Sequence, residues 1–348
     1  MATATANWGD IGSWNVSGVK DFSYAFSKHR DKKGGTESKD SNLKAVSFVG
    51  TAMSKWITTS LITLRRTFYG ADAMNSDLSG WNVANVKTLK ETFSGASKFD
   101  SDLSAWNVAK VKTLGGTFAA AHQFAGTGLD SWITTSVKSL SNTFDEATLM
   151  EADLGGWDVS KSTTLDRAFY RARKFTGTGI DKWIVNSVTG LYQTFKNADE
   201  MNSNLAGWRV EKVTNLAGTF RDAVKFKGDG LDSWRTSSVT SLYFAFYGAS
   251  EVDFDVGDWD VSKLIANGLE RTFGSAKFKG TGLGKWDTAS VKTLSYTFHG
   301  ALLLNGAGLE KWRTSGITSL HRTFYLASTM NADLSAWDVS KVRCAVVA

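Results

Sequence analysis

Four histidines are the residues of this chain best suited to act as general bases, and they lie at His29, His122, His299 and His321. A general base must lie close to the group that it deprotonates, and a third residue usually orients it. The four share no common position in the chain's repeats, and none has a Ser, Cys or carboxylate at a recurring spacing. The sequence therefore predicts no catalytic residue, and we expect the protein not to be an enzyme.

Carboxylates recur four residues before several tryptophans, at Asp77, Asp102, Asp153, Asp255 and Asp333. If coils stack at a strand spacing of ~4.8 Å, carboxylates two coils apart lie about 10 Å from each other, too far to share a calcium ion bound at ~2.4 Å. Only Asp77 and Asp102 belong to adjacent coils, and two carboxylates supply too few ligands. We predict that these residues cap turns or solvate the surface, and that the protein has no metal site.

Gly-x-Gly tripeptides precede other tryptophans and look like phosphate-binding loops, for example at residues 126–128 and 177–179. A phosphate-binding loop of the P-loop type continues into Gly-Lys-Ser/Thr at the start of a helix. These tripeptides precede predicted strands and lack that continuation. We therefore predict a structural turn at each tripeptide and no bound cofactor.

The elements that carry these residues repeat along the chain, with one tryptophan in each. The spacing between successive tryptophans is 25 to 27 residues, through Trp56, Trp81, Trp106, Trp132, Trp157, Trp183, Trp208, Trp234, Trp259, Trp286, Trp312 and Trp337. A fixed period of this length is typical of a solenoid, in which each coil covers the apolar face of its neighbour. We predict about thirteen coils and a length of roughly 60 Å.

Each coil joins two apolar periodicities. Trp106 and Val108 are two residues apart, which indicates a short strand with one buried face. In residues 114–121 the apolar positions and Thr117 follow the i, i+3, i+4, i+7 spacing of a short helix. We predict an α/β solenoid whose coils each contain a short strand plus a short helical turn. Stacking would align the tryptophans in one column and the phenylalanines in another, and each threonine hydroxyl would bond a carbonyl one turn back.

This template resembles the BspA-like leucine-rich repeats and the related mycoplasma-type repeat family of unknown function. Residues 334–342 read Leu-Ser-Ala-Trp-Asp-Val-Ser-Lys-Val, and residues 272–276 read Thr-Phe-Gly-Ser-Ala, which are the two parts of the family pattern. The resemblance covers about residues 11–345, although Leu and Thr stand where that family often has methionine. It implies a leucine-rich-repeat-like, right-handed superhelix, often on cell surfaces and in adhesion or binding. It implies no enzyme activity and assigns no functional residue.

Composition sets few limits on the partner. The formal net charge is +6, from 40 basic and 34 acidic residues. So mild an excess allows anionic partners but does not indicate nucleic acid. No stretch approaches 18 consecutive apolar residues, so we expect no membrane span. Residues 1–10 show no secretory signal. The compartment stays open, although the family resemblance favours a cell-surface or secreted protein.

We predict a single repeat solenoid over residues 1–348. It would have an irregular N-terminal coil at 1–26, an inserted loop at 27–45, regular coils at 46–342 and an uncapped C-terminal end at 343–348. The charged loop is either a tolerated surface insertion or a partner-binding loop. The uncapped end indicates further chain, a partner or second copy that covers it, or a local fold-back. Contact with a protein partner through this end and the 27–45 loop is thus one prediction.

The residues directly after the tryptophans form the outward lane of the predicted strands, hereafter the post-tryptophan lane. It reads Asn15, Ile57, Asn82, Asn107, Ile133, Asp158, Ile184, Arg209, Arg235, Asp260, Asp287, Arg313 and Asp338. We predict partner-binding residues at Ile57, Ile133, Ile184, Arg209, Arg235 and Arg313. Equally, the isoleucines could simply fill strand positions, for which they have a high propensity.

These observations favour a non-enzymatic protein-interaction or adhesion scaffold that presents a regular strand face. The alternative is a structural or linker subunit of a larger assembly, peripheral to a membrane complex.

Overall fold

The computed structural model describes residues 10–30 and 43–343, and the chain divides into two compact units. The first unit comprises Met1–Ser162 and Arg171–Gly179, and the second comprises Thr163–Tyr170 and Ile180–Ala348. Within each unit, successive coils of about 25 residues stack on one another. The continuity of one solenoid over residues 1–348 stays a prediction.

Two aromatic columns form the core of each unit, as the sequence predicted. In the first unit, the Trp106 and Trp132 ring centres are 6.4 Å apart with an interplanar angle of 1°. In the second, the Phe246 and Phe273 ring centres are 5.4 Å apart at 6°. All four side chains are buried. Since each aromatic side chain buries ~150–250 Å² of surface, these columns supply much of the apolar burial of the fold.

Side-chain hydrogen bonds join each coil to the one before it. The indole nitrogen of Trp132 donates to the Leu103 carbonyl at 3.1 Å. The hydroxyl of Thr92 lies 2.8 Å from the Leu89 carbonyl of its own coil and 2.9 Å from the Leu64 carbonyl of the previous coil. The predicted bond from the threonine hydroxyl to a carbonyl one turn back is thus confirmed, and it also bridges coils.

The predicted helical turn is wrong, because residues 89–96 form two successive β-turns. Residues 89–92 and 93–96 each close with a hydrogen bond from the fourth N–H to the first carbonyl, at 3.0 and 2.9 Å. The third residue of each turn has a positive φ, +54° at Glu91 and +71° at Gly95. A positive φ at the third position is the signature of a type II turn. The same pair of turns recurs from coil to coil.

The predicted strand after each tryptophan is also wrong, since residues 10–30 and 43–343 contain no continuous strand. Parallel pairing occurs instead as isolated bridges just before the first turn, as between Thr63 and Thr88 in the first unit and Gly190 and Asn215 in the second. Beyond these bridges, N–H groups of the turns donate to the next coil; Phe93 donates to the Thr117 carbonyl at 2.8 Å. The backbone is therefore satisfied by turn bonds and coil-to-coil bonds in alternation.

In the part of the chain that the structure describes, helical segments are short. One α-helix spans Leu43–Val46, and 3₁₀ helices span Ile11–Ser13, Met53–Lys55, Leu129–Ser131, Ile180–Lys182, Leu231–Ser233, Leu283–Lys285 and Leu309–Lys311. None of these helices has the length and apolar character needed to cross a membrane. The Gly-x-Gly tripeptides have the predicted structural role. Gly128, with a φ of +86°, precedes Leu129–Ser131, and a Cβ there would lie 2.1 Å from the Ser104 nitrogen.

Parts of three predicted segments lie outside the described residues. These parts are residues 1–9 of the predicted irregular coil at 1–26, residues 31–42 of the predicted 27–45 loop, and residues 344–348, including Cys344, of the predicted C-terminal end at 343–348. At the other end, the predicted irregular coil has its tryptophan in register, since Trp14 stacks on Trp56 at 6.3 Å.

Candidate functional site

The middle residues of the two turns are the side chains that each coil projects outward, because the Leu, Thr, Phe and Ala positions around them are buried. In the second unit these outward positions carry arginines and aromatic rings in successive coils. We define the arginine–aromatic column as five residues, one in each of five consecutive coils: Arg221, Phe244, Arg271, Tyr296 and Arg322.

Cations and rings alternate along this column at contact distances. The guanidinium of Arg221 lies 4.4 Å from the Phe244 ring centre. That of Arg271 lies 5.0 Å from the Phe244 ring and 4.4 Å from the Tyr296 ring. The Arg322 guanidinium is 5.9 Å from the Tyr296 ring. All these distances are within the ~6 Å over which a cation is attracted to a ring face.

The turn backbone brings these side chains into one column. Phe244, Arg271, Tyr296 and Arg322 occupy the same third position of the first turn, with φ values of +57°, +59°, +57° and +51°. A bulky residue with positive φ is uncommon and costs about 1–3 kcal/mol, so the surrounding structure must enforce it. Coil-to-coil bonds do this; the Tyr296 N–H donates to the His321 carbonyl at 2.9 Å.

Further rings widen the column into a surface. The guanidinium of Arg322 lies 5.4 Å from the Tyr325 ring centre, and His299 stacks on Tyr325 at 5.4 Å. The Tyr296 hydroxyl lies 3.1 Å from Nε2 of His321. Tyr325 is 36% exposed, and Arg322 is exposed. At this end of the column, Arg322 and the neighbouring Tyr325 expose charge and ring area to solvent, whereas the Phe244 ring is buried.

The arginines keep part of their hydrogen-bonding capacity. Nε of Arg221 lies 3.2 Å from the Asp222 carboxylate, whereas Nε of Arg271 is 3.7 Å from Glu270. Within the described residues, the buried Nε of Arg271 and the buried Nδ1 of His299 have no hydrogen-bond partner.

The first unit has a smaller cluster of the same kind at its own turns. Arg66 lies 5.7 Å from the Tyr24 ring and 5.2 Å from the Tyr69 ring. Its Nε forms an ion pair with Glu91 at 2.5 Å. Glu91 thus pairs with Arg66 in this cluster, as Asp222 pairs with Arg221 in the column.

The structure places the predicted lane residues on the surface but does not gather the isoleucines of the first unit. Ile57 and Ile133 are 62% and 56% exposed, and coils with Asn82 and Asn107 lie between them. Ile184, in the second unit, is 57% exposed. A contiguous apolar patch therefore does not form between Ile57 and Ile133.

The predicted lane arginines are also exposed, and two of them form ion pairs with neighbouring coils. Arg235 lies 2.9 Å from Asp258, and Arg313 lies 3.9 Å from Asp287. Arg209 is exposed as well. Exposed pairs of this kind contribute little to stability.

Acidic residues of the lane cap their own turns. The Ser262 hydroxyl and backbone N–H both donate to Asp260, and these bonds lower the pKa of its carboxyl, with a further small contribution from Lys263. Asp158 is held in the same way, with its pKa lowered by Ser160. These residues thus work as structural acceptors.

The carboxylates four residues before tryptophan have the turn-capping role that the sequence predicted. The Ser79 backbone N–H donates to Asp77 at 2.9 Å, and the Ser104 N–H donates to Asp102 at 2.8 Å. The residues that the structure describes contain no group of three His, Cys, Asp or Glu side chains able to hold a metal ion.

A family model described as "Mycoplasma protein of unknown function, DUF285" matches residues 37–128, 100–208, 163–277 and 267–346 of the chain. This chain belongs to the DUF285 family. The four overlapping matches agree with the predicted repeat solenoid and with the predicted resemblance to mycoplasma-type repeats. The resemblance to BspA-like repeats has no match and stays a prediction.

Other comparisons add little about this DUF285 chain. It is similar to the protein in "Crystal structure of TLR13-ssRNA13 complex" at 10% identity, over 76% of the chain, with a TM-score of 0.20. The chain spans about half (49%) of that protein's length. No curated protein matches it.

The sequence prediction of a contact surface did not include the column of this DUF285 chain, because it considered only the residue directly after each tryptophan. A signal was present at the third residue of the L-x-x-T-F segment. There the chain carries Phe244, Arg271, Tyr296 and Arg322 in four consecutive coils. Reading every position of the repeat as a column would have found them.

Proposed function

We propose that this DUF285 chain is a non-enzymatic protein-interaction module that binds its partner through the arginine–aromatic column. One observation carries the proposal: five consecutive coils alternate arginines with rings at 4.4 to 5.9 Å. Phe244 is buried, but Arg221, Arg271 and Tyr296 are half-buried and Arg322 is exposed, so the arginines of the column reach the surface. Arginine and tyrosine are enriched among the residues that dominate binding energy at protein interfaces.

The column is already ordered before a partner arrives. Arg271 lies between two rings, so its long side chain is restrained in the free protein. Ordering a flexible side chain on binding costs about 0.5–1.5 kcal/mol, and a stacked arginine avoids part of that cost. This pre-organisation supports a role in recognition.

The surrounding charges favour a protein over a nucleic acid as the partner. Asp222 and Glu270 accompany two of the three column arginines. Carboxylates beside the arginines would repel a continuous chain of phosphates, on which nucleic-acid affinity depends. A protein surface with mixed acidic and apolar groups has no such conflict.

The column replaces the post-tryptophan lane as the proposed contact face of the scaffold. The isoleucines of the first unit are separated by coils that carry Asn82 and Asn107 in the lane. The lane offers no cluster in which arginines and rings alternate. This difference supports the column as the contact face.

Paired charge-matched variants test the proposal. In the column variant, Arg271→Gln and Arg322→Gln remove two cations, and glutamine is tolerated at this backbone position because Gln193 occupies it with a φ of +52°. In the lane variant, Arg235→Gln and Arg313→Gln remove the same charge. Wild-type and variant proteins serve as baits, and quantitative mass spectrometry compares the proteins that each retains.

We expect the column variant to retain at least about tenfold less of the partner than the wild-type protein, which is the size of effect seen at interface hot spots. The lane variant should retain that partner at the wild-type level. If the lane variant alone loses the partner, or neither variant does, the column is not the contact face.

A further inference from the structure

The turn face of the first unit contains a cavity of about 400 Å³. Gly115, Gly116 and Ala119 line it, and it lies between side chains of the neighbouring coils. A volume of this size falls within the range of small-molecule sites. The cavity arises because one coil carries almost no side chains where its neighbours carry long ones.

The backbone requires only one of the two glycines. Gly116 has a φ of +64°, and a Cβ there would lie 2.9 Å from Cγ of Glu91. Gly115 is not in the left-handed region, and its nearest Cβ contact would be 3.3 Å, to Oγ1 of Thr113. Other coils carry large side chains at the position of Gly115, including Arg65, Lys90, Tyr192 and Tyr243. The open space above Gly115 is therefore not a requirement of the fold.

Polar side chains of both signs surround this space. On one side, Glu91 is fixed by its 2.5 Å ion pair with Arg66, and the Lys90 ammonium lies 3.9 Å from Glu91. On the other side, the amide of Asn142 and the carboxylate of Asp145 line the cavity. Asn142 has a φ of +56°, so its backbone is held in an uncommon conformation. This conformation fixes the direction in which the side chain leaves the backbone.

Hydroxyl groups and one ring complete the lining. Ser94, Ser139 and Ser141 contribute hydroxyls, and Tyr69 contributes an aromatic ring. The Tyr69 ring is itself restrained, since Arg66 lies 5.2 Å and Lys28 5.4 Å from its centre. The cavity thus combines fixed acceptors, rotatable hydroxyls and a ring edge within one small volume.

We propose that this cavity binds one neutral sugar unit of a glycan. A pyranose ring carries several hydroxyls, each both a donor and an acceptor, which match carboxylate, amide, ammonium and hydroxyl groups around a ring-sized space. Its C–H groups can pack against the edge of the Tyr69 ring and against Gly115 and Ala119.

Other ligand classes fit the lining less well. An anion would meet two lining carboxylates, Glu91 and Asp145, against one lining cation, Lys90. An apolar ligand would displace water from the polar side chains of the lining without replacing its hydrogen bonds, which is costly. The site is separate from the arginine–aromatic column, so the glycan proposal and the proposed protein contact stand or fall independently.

Saturation-transfer NMR with methyl glycosides of glucose, galactose, mannose and N-acetylglucosamine tests the proposal, with methyl glucuronide as the anionic comparison. Gly115→Tyr fills the cavity with the side chain that Tyr192 and Tyr243 carry at the same position. Ser295→Tyr places the same side chain at the equivalent position of the second unit, outside the cavity. We expect at least one neutral glycoside to show transfer that Gly115→Tyr abolishes and Ser295→Tyr preserves.

A second matched pair of variants removes one lining side chain without straining the backbone. Asn142→Gly and Asn197→Gly both relieve a left-handed asparagine, since each has a φ of +56°. Only Asn142 lines the cavity. We expect Asn142→Gly to weaken binding of the same glycoside about tenfold, as loss of well-formed hydrogen bonds would, and Asn197→Gly to leave it unchanged.

Three results would overturn the proposal. One is the absence of saturation transfer to every neutral glycoside when each is present at about 10 mM, above the ~1 mM dissociation constant of a weak site. Another is binding of methyl glucuronide alone. The third is equal transfer in wild type and Gly115→Tyr, which would place the sugar elsewhere.

Discussion

The guanidinium of Arg271 lies 4.4 Å from the centre of the Tyr296 ring in the next coil. This contact joins residues 25 positions apart at the same site of the repeat. We predict a coupling energy of about 0.5–1 kcal/mol between them, the size of a cation–π contact near the surface. A double-mutant cycle with Arg271→Gln and Tyr296→Gln, followed by urea unfolding, measures it.

Tyr296→Gln also removes the Tyr296 contact with His321. This loss occurs in both the single and the double variant, so it cancels when the coupling energy is calculated. Arg313→Gln paired with Tyr296→Gln is the control, since Arg313 belongs to the lane, and its coupling should be zero within error. A coupling of the same size in both cycles would show that the arginine–ring contact itself contributes nothing.

Two adjacent alanines test the left-handed positions of the turns. Ala120 has a φ of +55°, whereas Ala119 does not lie in the left-handed region. Ala120→Gly should raise the free energy of unfolding by about 0.5–1 kcal/mol, because glycine adopts this conformation without the steric cost of a Cβ. Ala119→Gly should lower it by about 0.5–1 kcal/mol through backbone entropy. If urea unfolding shows that both substitutions lower the free energy of unfolding by the same amount, the turn geometry is contradicted.

The spacing of apolar residues predicted which side chains are buried but could not distinguish a helix from two turns. Leu89, Thr92, Phe93 and Ala96 fall at i, i+3, i+4 and i+7 in either case, since they are the end residues of two consecutive four-residue turns. Glycine at the third position of a turn, as at Gly95, argues against a helix interior and for a positive φ.

The columns of tryptophan and phenylalanine could be predicted because their identity is nearly constant from coil to coil. The shared repeat position of Arg271 and Tyr296 could also be read from the sequence, but their contact could not, because it depends on both residues having the same uncommon φ. The cavity of the first unit also depends on its surroundings. Gly115 lines a cavity only because Glu91 and Asn142 flank it in neighbouring coils.

Acid should weaken the fold partly through the lane carboxylates. Bonds from Ser160 and Ser262, first from the hydroxyl and then from the N–H, lower the pKa of Asp158 and Asp260 below the ordinary value of 3.8. A carboxyl with a lower pKa in the folded state stabilises the fold above its unfolded-state pKa, and this stabilisation is lost as the pH falls through the folded-state pKa. The effect therefore lies below about pH 4.

Asp158→Asn with Asp260→Asn isolates this effect, because Asn82 and Asn107 provide the same turn acceptor in other coils. We expect urea midpoints at pH 7 close to wild type and a smaller loss of stability between pH 4 and about pH 2.5. An unchanged acid slope would show that these two carboxylates do not contribute to it.

The position of partner contact tests the central claim most directly. A photo-reactive p-benzoylphenylalanine replaces Tyr325 beside the column in one protein and Ile133 in the lane in another, both exposed positions. Each protein is irradiated with the same extract, and mass spectrometry identifies the adducts. We predict a specific partner adduct from position 325, abolished by Arg271→Gln with Arg322→Gln, and none from position 133. The same partner cross-linked from position 133 and not from 325 would contradict the proposed contact face.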